Sequence, residues 1–538
     1  MHTATTRPVW GRPVTARQSR RSSSGRRRTA PVAALLTAAL TLGSCALFSD
    51  SEESDAEDGM QEGSDPGAGP GEREPEEADG PLADFYAQEL EWVECGTMEC
   101  TTFEVPADYD DPGGARLEIA AARLLADGES PLVVNPGGPG GSGIEMAEAA
   151  ADMFTEDLIE AYDIIGVDPR GVGQSSAIDC VDDADLDQLR AAGYQEGPEG
   201  ETAAAEDIEL IVQGCQERSV DLLPYVDTIS AARDMEVLRV LLEVPELDYL
   251  GYSYGTYLGA HYAELFPERV GRFVLDGGMD PSLERHEVAH DQALGFESAM
   301  TAYIEDCLAW TECPLAGDLD TAFEQIRALL DEAEAAPLPT GDGDRVLTRE
   351  LAYSGIIGPL YNQGDWPVLT ESLELALNGD GSYLLFVADL FAGREEDGSY
   401  RDNQTEANWA INCLDRPVTG DPGDWDQRAE AMIDAAPTFG PALAYGEELC
   451  AQWPADSEGT QGEITAAGAA PILVVGTTGD PATPYHWSES LAQQLESGVL
   501  LTYDGEGHGA YGRSNSCVNE RVDDFLIRGE IPEDGLVC

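Results

Sequence analysis

Short apolar runs alternate with longer amphipathic segments along most of this chain. The runs at residues 131–134, 164–167, 249–252, 273–275 and 472–475 predict strands, because short uninterrupted apolar runs suit strands that are covered on both faces. Alternation of such runs with helical segments is typical of an α/β fold. The pattern therefore predicts a mostly parallel sheet with helices on both faces.

Between residues 280 and 471 strand signals are scarce and the hydrophobic pattern is helical, notably at 287–308, 319–334 and 366–377. Helices inserted between strands predict a cap over the sheet. We divide the globular part into an N-terminal core at 82–280, a helical cap at 281–420 and a C-terminal core at 421–538. The end of the cap stays open between 410 and 465.

One five-residue motif combines a strand end with a nucleophile. Residues 251–255 read Gly-Tyr-Ser-Tyr-Gly, after an apolar run and before a helical segment at 256–266. Glycines beside a serine permit a sharp turn that presents the hydroxyl clear of the backbone. Because the motif also arises by chance in a chain with 58 glycines, Ser253 needs a base, an acid and oxyanion donors to count as a nucleophile.

The base and the acid are sought downstream of the serine. Among six histidines, His508 lies in a glycine-rich loop, Gly-Glu-Gly-His-Gly, after the apolar run at 498–503. Asp480 follows the predicted strand at 472–475, and its alternative interpretation is a turn-forming aspartate before Pro481. The order Ser, Asp, His is that of α/β-hydrolases, so we predict Asp480 as the acid and His508 as the base.

Donors for an oxyanion are predicted at two places. The residue after the nucleophile, Tyr254, normally offers one backbone N–H. The loop at 135–143, Asn-Pro-Gly-Gly-Pro-Gly-Gly-Ser-Gly, follows an early strand and suits the other. No lysine follows these glycines, which excludes a phosphate-binding P-loop, and a plain flexible turn is the remaining alternative.

Together these motifs resemble the secreted tripeptidyl aminopeptidases of actinobacteria, relatives of the proline iminopeptidases within the α/β-hydrolase fold. Matching segments lie at 135–143, 168–175, 251–255, 274–277, 410–415, 480–483 and 507–508. Asn135-Pro136 stands where proline iminopeptidases carry histidine before the glycines, which favours the tripeptidyl branch. The resemblance implies a triad of Ser253, Asp480 and His508, oxyanion donors at Gly138 and Tyr254, and neither metal nor cofactor.

The first 44 residues have the pattern of an export signal. Eight arginines and no acidic residue precede Ala30, and the apolar run at 31–42 is too short to span a membrane. Leu-Gly-Ser-Cys at 42–45 resembles a bacterial lipobox, so we predict lipidation at Cys45, with an ordinary signal peptide as the alternative. Residues 45–81 then form the anchor and an acidic linker that cannot bury enough apolar surface to fold.

Eleven cysteines are an odd number for an exported chain, and removing Cys45 leaves ten. Sequential pairing gives five local disulfides, although the sequence does not fix their connectivity; a metal site is the rival, but no C-x-x-C or clustered histidine supports it. The candidate pairs are Cys95/Cys100, Cys180/Cys215, Cys307/Cys313, Cys413/Cys450 and Cys517/Cys538.

The charge of the chain bears on its partners. A net charge of −75 and the absence of lysine argue against nucleic acid, since phosphate contacts need clustered cations. The expected partners are peptides with a free N-terminus and, through the lipid, a membrane. The acidic composition is explained equally by a salty habitat or by high-GC codon usage.

These features predict an exported serine aminopeptidase that releases tripeptides. Such an enzyme needs carboxylates that bind the substrate's α-ammonium group; Glu406 and Asp415 flank one matching segment, but no substrate-binding residue can be assigned. An exported carboxylesterase or lipase with the same triad is the alternative. A non-catalytic binding protein is disfavoured because nucleophile, acid, base and oxyanion glycines all occur together.

Overall fold

The computed structural model describes residues 80–126, 130–193, 198–457 and 459–538. The predicted leader at 1–44, Cys45 and nearly all of the acidic linker lie outside the described residues. Within the described ranges, no helix is both long and apolar enough to cross a bilayer.

A ten-stranded sheet in the order β1-β2-β3-β5-β4-β6-β7-β10-β11-β12 forms the centre of the fold. The first three strands are antiparallel, and the seven from β5 to β12 in this order run parallel. The ten strands are β1 (Val93–Cys95), β2 (Met98–Pro106), β3 (Arg116–Leu124), β4 (Ser130–Asn135), β5 (Tyr162–Val167), β6 (Leu247–Tyr252), β7 (Val270–Asp276), β10 (Ile472–Gly479), β11 (Gly498–Glu506) and β12 (Leu536–Val537).

Helices cover both faces of this sheet. The helices that precede the inserted segment or follow it are α1 (Ala83–Tyr86), α2 (Gly143–Glu148), α3 (Ala150–Met153), α4 (Glu156–Ala161), α5 (Asp183–Ala191), α6 (Pro198–Arg218), α7 (Thr228–Leu241), α8 (Tyr254–Leu265), α18 (Tyr485–Gln494) and α19 (Ser516–Arg528). Along β10, Ile472 and Val474 pack into the core on one face, while Leu473 and Val475 pack into the core on the other. This double burial explains why the parallel strands are uninterrupted apolar runs. The prediction of an α/β-hydrolase fold is confirmed.

The segment between β7 and β10 is helical apart from a short hairpin of β8 (Leu338–Pro339) and β9 (Val346–Leu347). Its helices are α9 (Arg285–Leu308), α10 (Leu319–Ala335), α11 (Arg349–Leu360), α12 (Trp366–Leu377), α13 (Ser382–Phe391), α14 (Gln404–Asp415), α15 (Pro422–Ala435), α16 (Gly440–Leu443) and α17 (Glu447–Ala451). Met300, Ile326, Leu369 and Leu384 belong to a separate apolar cluster within it. The division of cap and core at residue 420 stays a prediction.

Five disulfides join cysteines in the same pairs that sequential pairing gives. Two of them close longer loops: Cys180–Cys215 joins the segment before α5 to α6, and Cys413–Cys450 joins α14 to α17. The other three close short or terminal loops and are Cys95–Cys100, Cys307–Cys313 and Cys517–Cys538.

Candidate active site

Ser253 stands at a strained turn between β6 and α8. Its backbone has φ 55° and ψ −123°, a combination that a residue with a side chain rarely adopts. The flanking glycines make the turn possible, because a Cβ on Gly251 would lie 2.5 Å from the carbonyl oxygen of Gly255. The Ser253 N–H donates to the Asp276 carbonyl at 2.9 Å, which ties the turn to the neighbouring strand.

His508 and Asp480 are in direct contact at the ends of β11 and β10. Both oxygens of Asp480 lie 2.9 Å from His508 Nδ1. The backbone N–H groups of Ala482 and Thr483 donate to Asp480 Oδ1, and the Thr483 hydroxyl donates to Oδ2. An ionised carboxylate against Nδ1 favours the tautomer that carries its proton on Nδ1, so the other ring nitrogen, Nε2, is free to accept a proton.

The glycine-rich loop after β4 packs directly against the serine turn. A Cβ on Gly137 would lie 2.6 Å from the Tyr252 carbonyl oxygen and 2.8 Å from the Ser253 Cβ, so only glycine fits there. Gly138 follows with φ 110°. Tyr254 is the first residue of α8, and its N–H therefore has no acceptor within the helix. The backbone of the glycine-rich loop therefore lies against the serine turn, where the N–H group of Tyr254 begins α8.

Asp168 holds the far end of this loop in place. Its Oδ1 accepts from the Ser142 hydroxyl at 2.6 Å and from the Ile144 N–H at 3.2 Å, while Oδ2 accepts from the Gln174 N–H at 2.8 Å. Ser142 in turn caps α2 by accepting from the Glu145 N–H. The segments at 135–143 and 168–175, which matched as separate motifs, form one hydrogen-bonded unit.

The structure therefore gathers every predicted catalytic residue at the carboxyl edge of the parallel strands. Ser253, Asp480 and His508 follow β6, β10 and β11, and the end of β7 lies between the serine and the acid. A Cβ on Gly277, just after β7, would lie 3.3 Å from His508 Cε1 and 3.6 Å from Asp480 Oδ2. Within the described part of the chain, no three His, Cys, Asp or Glu side chains are placed to share a metal ion.

The chain is similar to several known proteins over most of its length. A family profile described as "TAP-like protein" matches residues 436–538. Serine protease Hip1 of Mycobacterium tuberculosis is 36% identical over 487 residues, which cover 84% of this chain and 91% of that protein. The tripeptidyl aminopeptidase of Streptomyces lividans is 30% identical over 477 residues, covering 84% of this chain and 86% of that one. The chain belongs to the tripeptidyl aminopeptidase-like family.

This family membership makes the protein a serine hydrolase of the α/β-hydrolase fold, as the sequence predicted. The family also contains relatives with other names. Carboxylesterase B of Mycobacterium tuberculosis is 36% identical over 494 residues, covering 86% of this chain and 93% of that protein.

Asp276 is a buried carboxylate of this family member to which the sequence analysis gave no role. It ends β7, is fully buried, and accepts the N–H of Ala510 at 3.0 Å and that of Tyr511 at 2.7 Å. Burial raises the pKa of Asp276 to about 6, although the hydrogen bonds from Tyr511 and Ala510 favour its ionised form. Asp276 follows a predicted parallel strand, as the three triad residues do. This position could have marked it in the sequence as a residue near the site.

The inserted helices of the tripeptidyl aminopeptidase-like chain contact the same edge. The Tyr361 carbonyl, at the end of α11, accepts the His508 N–H at 2.7 Å, and the Tyr361 ring meets the His508 ring edge-on at 5.2 Å. On α14, Asn408 Nδ2 donates to the Pro139 carbonyl of the glycine-rich loop at 3.2 Å. These two residues, which no local motif marks, fix the inserted segment against the site.

Glu406 and Asp415, the two carboxylates considered for the substrate's ammonium group, are occupied by internal hydrogen bonds. Glu406 Oε1 accepts the N–H groups of Cys180 at 2.6 Å and Val181 at 2.9 Å. Asp415 accepts the N–H and the hydroxyl of Thr228 at 2.8 and 2.5 Å, and burial raises the pKa of Asp415 to about 7. Both carboxylates therefore join parts of the fold.

Proposed function

We propose that this chain is an exported serine aminopeptidase that binds peptides by the free N-terminus and releases tripeptides. The observation that carries the proposal is the buried Asp480–His508 pair at the same sheet edge as a serine held at a strained strand-to-helix turn. The name of the Streptomyces lividans relative supports the tripeptide product.

In the proposed reaction Ser253 Oγ attacks the scissile carbonyl carbon while His508 Nε2 takes the hydroxyl proton. Asp480 keeps the imidazole oriented and stabilises the imidazolium that forms. The C–N bond breaks when the tetrahedral intermediate collapses, and His508 gives its proton to the leaving amine. A water molecule, deprotonated by His508, then hydrolyses the acyl-enzyme and restores Ser253.

The negative charge of each tetrahedral intermediate is assigned to the N–H groups of Gly138 and Tyr254. The fit of Gly137 against Ser253 supports this assignment, because it brings the loop backbone within van der Waals contact of the nucleophile. Donors that are fixed before the reaction stabilise the developing oxyanion without reorganisation.

Export and anchoring belong to the same proposal. Five disulfides suit a chain that folds in an oxidising compartment. We propose that Cys45 carries the lipid. Replacing it, Cys45→Ala, is expected to move the enzyme from the membrane fraction to the medium, and unchanged membrane association would count against lipidation.

A carboxylesterase is the second candidate, favoured by the 36% identity to carboxylesterase B. Both candidates use the same triad, so the substrate separates them. We would compare a tripeptidyl fluorogenic amide with a free amine, its N-acetylated twin and a short-chain ester, with Ser253→Ala as the blank. Cleavage confined to the free-amine peptide supports the aminopeptidase, whereas a preference for the ester, or indifference to acetylation, contradicts it.

A further inference from the structure

A cavity of about 490 Å³ lies among the inserted helices, and its lining includes no residue of the triad or of the glycine-rich loop. It lies between α9, α11, α14 and the chain around α16 and α17. The polar and aromatic side chains that line it include Arg285, Glu350, Asn408, Trp409 and Asn412. We call it the amine cavity.

Hydrogen bonds through α14 connect the lining of the amine cavity to the glycine-rich loop. Asn408 donates to the Pro139 carbonyl, and Asn412 Nδ2 donates to Asn408 Oδ1 at 3.0 Å, so a chain of amides leads from the loop into the cavity. A Cβ on Gly140 would lie 2.6 Å from the Gln404 carbonyl oxygen, which shows how closely the loop and α14 pack. The helix α14 therefore both contacts the loop and lines the cavity.

Glu350 is the carboxylate of this cavity. It lies in the first turn of α11 and is half-buried, and its carboxylate has no hydrogen bond or ion pair among the residues that the structure describes. Gly193 packs against Oε1 so closely that a Cβ there would collide with it. Burial raises the pKa of Glu350 to about 7, with Arg349 opposing the rise and Glu334 adding to it.

The cation of the cavity is already engaged. Arg285 donates to the backbone carbonyls of Arg416, at 3.1 Å, and of Asn412. The neighbouring Arg349 forms an ion pair with Glu334. Glu350 is thus a partly desolvated carboxylate without an ion pair among the described residues, and a ligand with a positive charge would supply one.

We propose that the amine cavity binds the N-terminal residue of the peptide and that the Glu350 carboxylate accepts hydrogen bonds from its α-ammonium group. The inference rests on the proposed aminopeptidase function and assigns the residue that recognises the free terminus. Asn412 borders the same space and offers its side-chain oxygen as a further acceptor.

Glu350 lies near the N-terminal end of a 12-residue helix, and Tyr361, which contacts His508, follows the C-terminal end. A helix of that length spans about 18 Å, so a single extended residue, at about 3.5 Å, does not bridge Glu350 and the triad.

The test compares wild type with Glu350→Gln, which keeps the shape and removes the charge. Glu374→Gln, an exposed glutamate on α12 outside the cavity, is the matched control. The readouts are kcat/KM for the free-amine tripeptidyl amide, for its N-acetylated twin and for a short-chain ester. We expect Glu350→Gln to lose about 10- to 100-fold for the free-amine peptide alone, the value of a hydrogen-bonded charge.

The outcomes separate the two proposals. Wild type that ignores acetylation overturns the aminopeptidase and this assignment together. Wild type that requires the free amine, with Glu350→Gln equally selective, overturns only the role of Glu350. If Glu350→Gln also loses ester hydrolysis, the loss reflects a general defect, and Glu350→Asp is measured instead. This variant keeps the negative charge but places it one methylene farther from the bound ammonium group. Undiminished preference for the free amine in that variant refutes the assignment.

Discussion

Replacing Asp276 by asparagine tests how a buried carboxylate supports the loop that carries His508. Asp276 is fully buried, and its oxygens accept the N–H groups of Ala510 and Tyr511. Burial raises its pKa from the ordinary 3.8 to about 6, and nearby Arg513 favours the ionised form. The folded chain therefore keeps a proton on Asp276 in a pH range where the unfolded chain has released it.

The sign and size of the effect follow from this difference in protonation. Because the folded-state pKa is raised, the contribution of Asp276 to stability is complete below about pH 4 and is lost as the pH rises through about 6. A shift of two pKa units corresponds to a loss of about 3 kcal/mol in the free energy of unfolding. An asparagine cannot titrate, so the variant lacks this loss.

Asparagine also offers the loop one acceptor oxygen in place of two. An amide oxygen in the place of Oδ2 still accepts both loop N–H groups, but the NH2 group in the place of Oδ1 then lies about 3.0 Å from the Ala510 N–H, a second donor, at a cost of about 1–3 kcal/mol. We expect Asp276→Asn to be less stable than wild type at pH 4, and to recover about 3 kcal/mol relative to wild type between pH 4 and pH 7.

Urea denaturation at intervals of one pH unit, followed by tryptophan fluorescence, measures this difference. Asp110→Asn, at an exposed carboxylate in a surface turn, serves as the control for the loss of a carboxylate outside the core. A pH-independent difference between Asp276→Asn and wild type would refute the reasoning, because it would mean that Asp276 does not change its protonation on folding in this range.

Three other substitutions address the nucleophile, a buried ion pair and a disulfide. Ser253→Ala should lower kcat by at least about 10⁴-fold with an unchanged melting temperature. A variant that keeps more than about 1% of the wild-type kcat would disprove the role of Ser253. Asp234→Asn removes the negative charge and one of the two oxygens that pair with the buried Arg170 guanidinium at 2.7 Å, so urea denaturation should show a loss of about 3–5 kcal/mol. A loss below about 1 kcal/mol would mean that neutral acceptors suffice for Arg170. Joint replacement of Cys413 and Cys450 by serine removes a cross-link across 37 residues and should cost about 3–4 kcal/mol under oxidising conditions, with no difference from wild type once both are reduced.

The elements that the sequence predicted best are those whose pattern follows directly from burial. The runs at 164–167 and 472–475 lie inside β5 and β10, which are apolar because helices cover both faces. The helix predicted at 287–308 begins at Arg285, because Glu284 and Glu287 form a capping box at its start. The spacing of hydrophobic residues, on which the prediction depended, carries no information about these polar residues. The antiparallel β1–β3 were not predicted, since the polar side chains of β2 interrupt its apolar pattern.

The candidate site divides in the same way. Ser253, Asp480 and His508 could be proposed because each follows a predicted strand, and the carboxyl ends of parallel strands meet at one edge. Their catalytic roles stay predictions. Glu350 and Asn408 could not be found, because they border one cavity only in the folded chain, and nothing in their neighbouring residues distinguishes them from other polar side chains.

The disulfide between Cys413 and Cys450 has a consequence for when the protein can act. It fastens α14, which carries Asn408 and Asn412, to α17, and both cysteines border the amine cavity. In a reducing cytosol these two helices are not cross-linked. We therefore expect the binding of peptide N-termini to become effective only after this disulfide has formed. Before export, the newly made chain would then cleave few peptides in the cytosol of the cell that produces it.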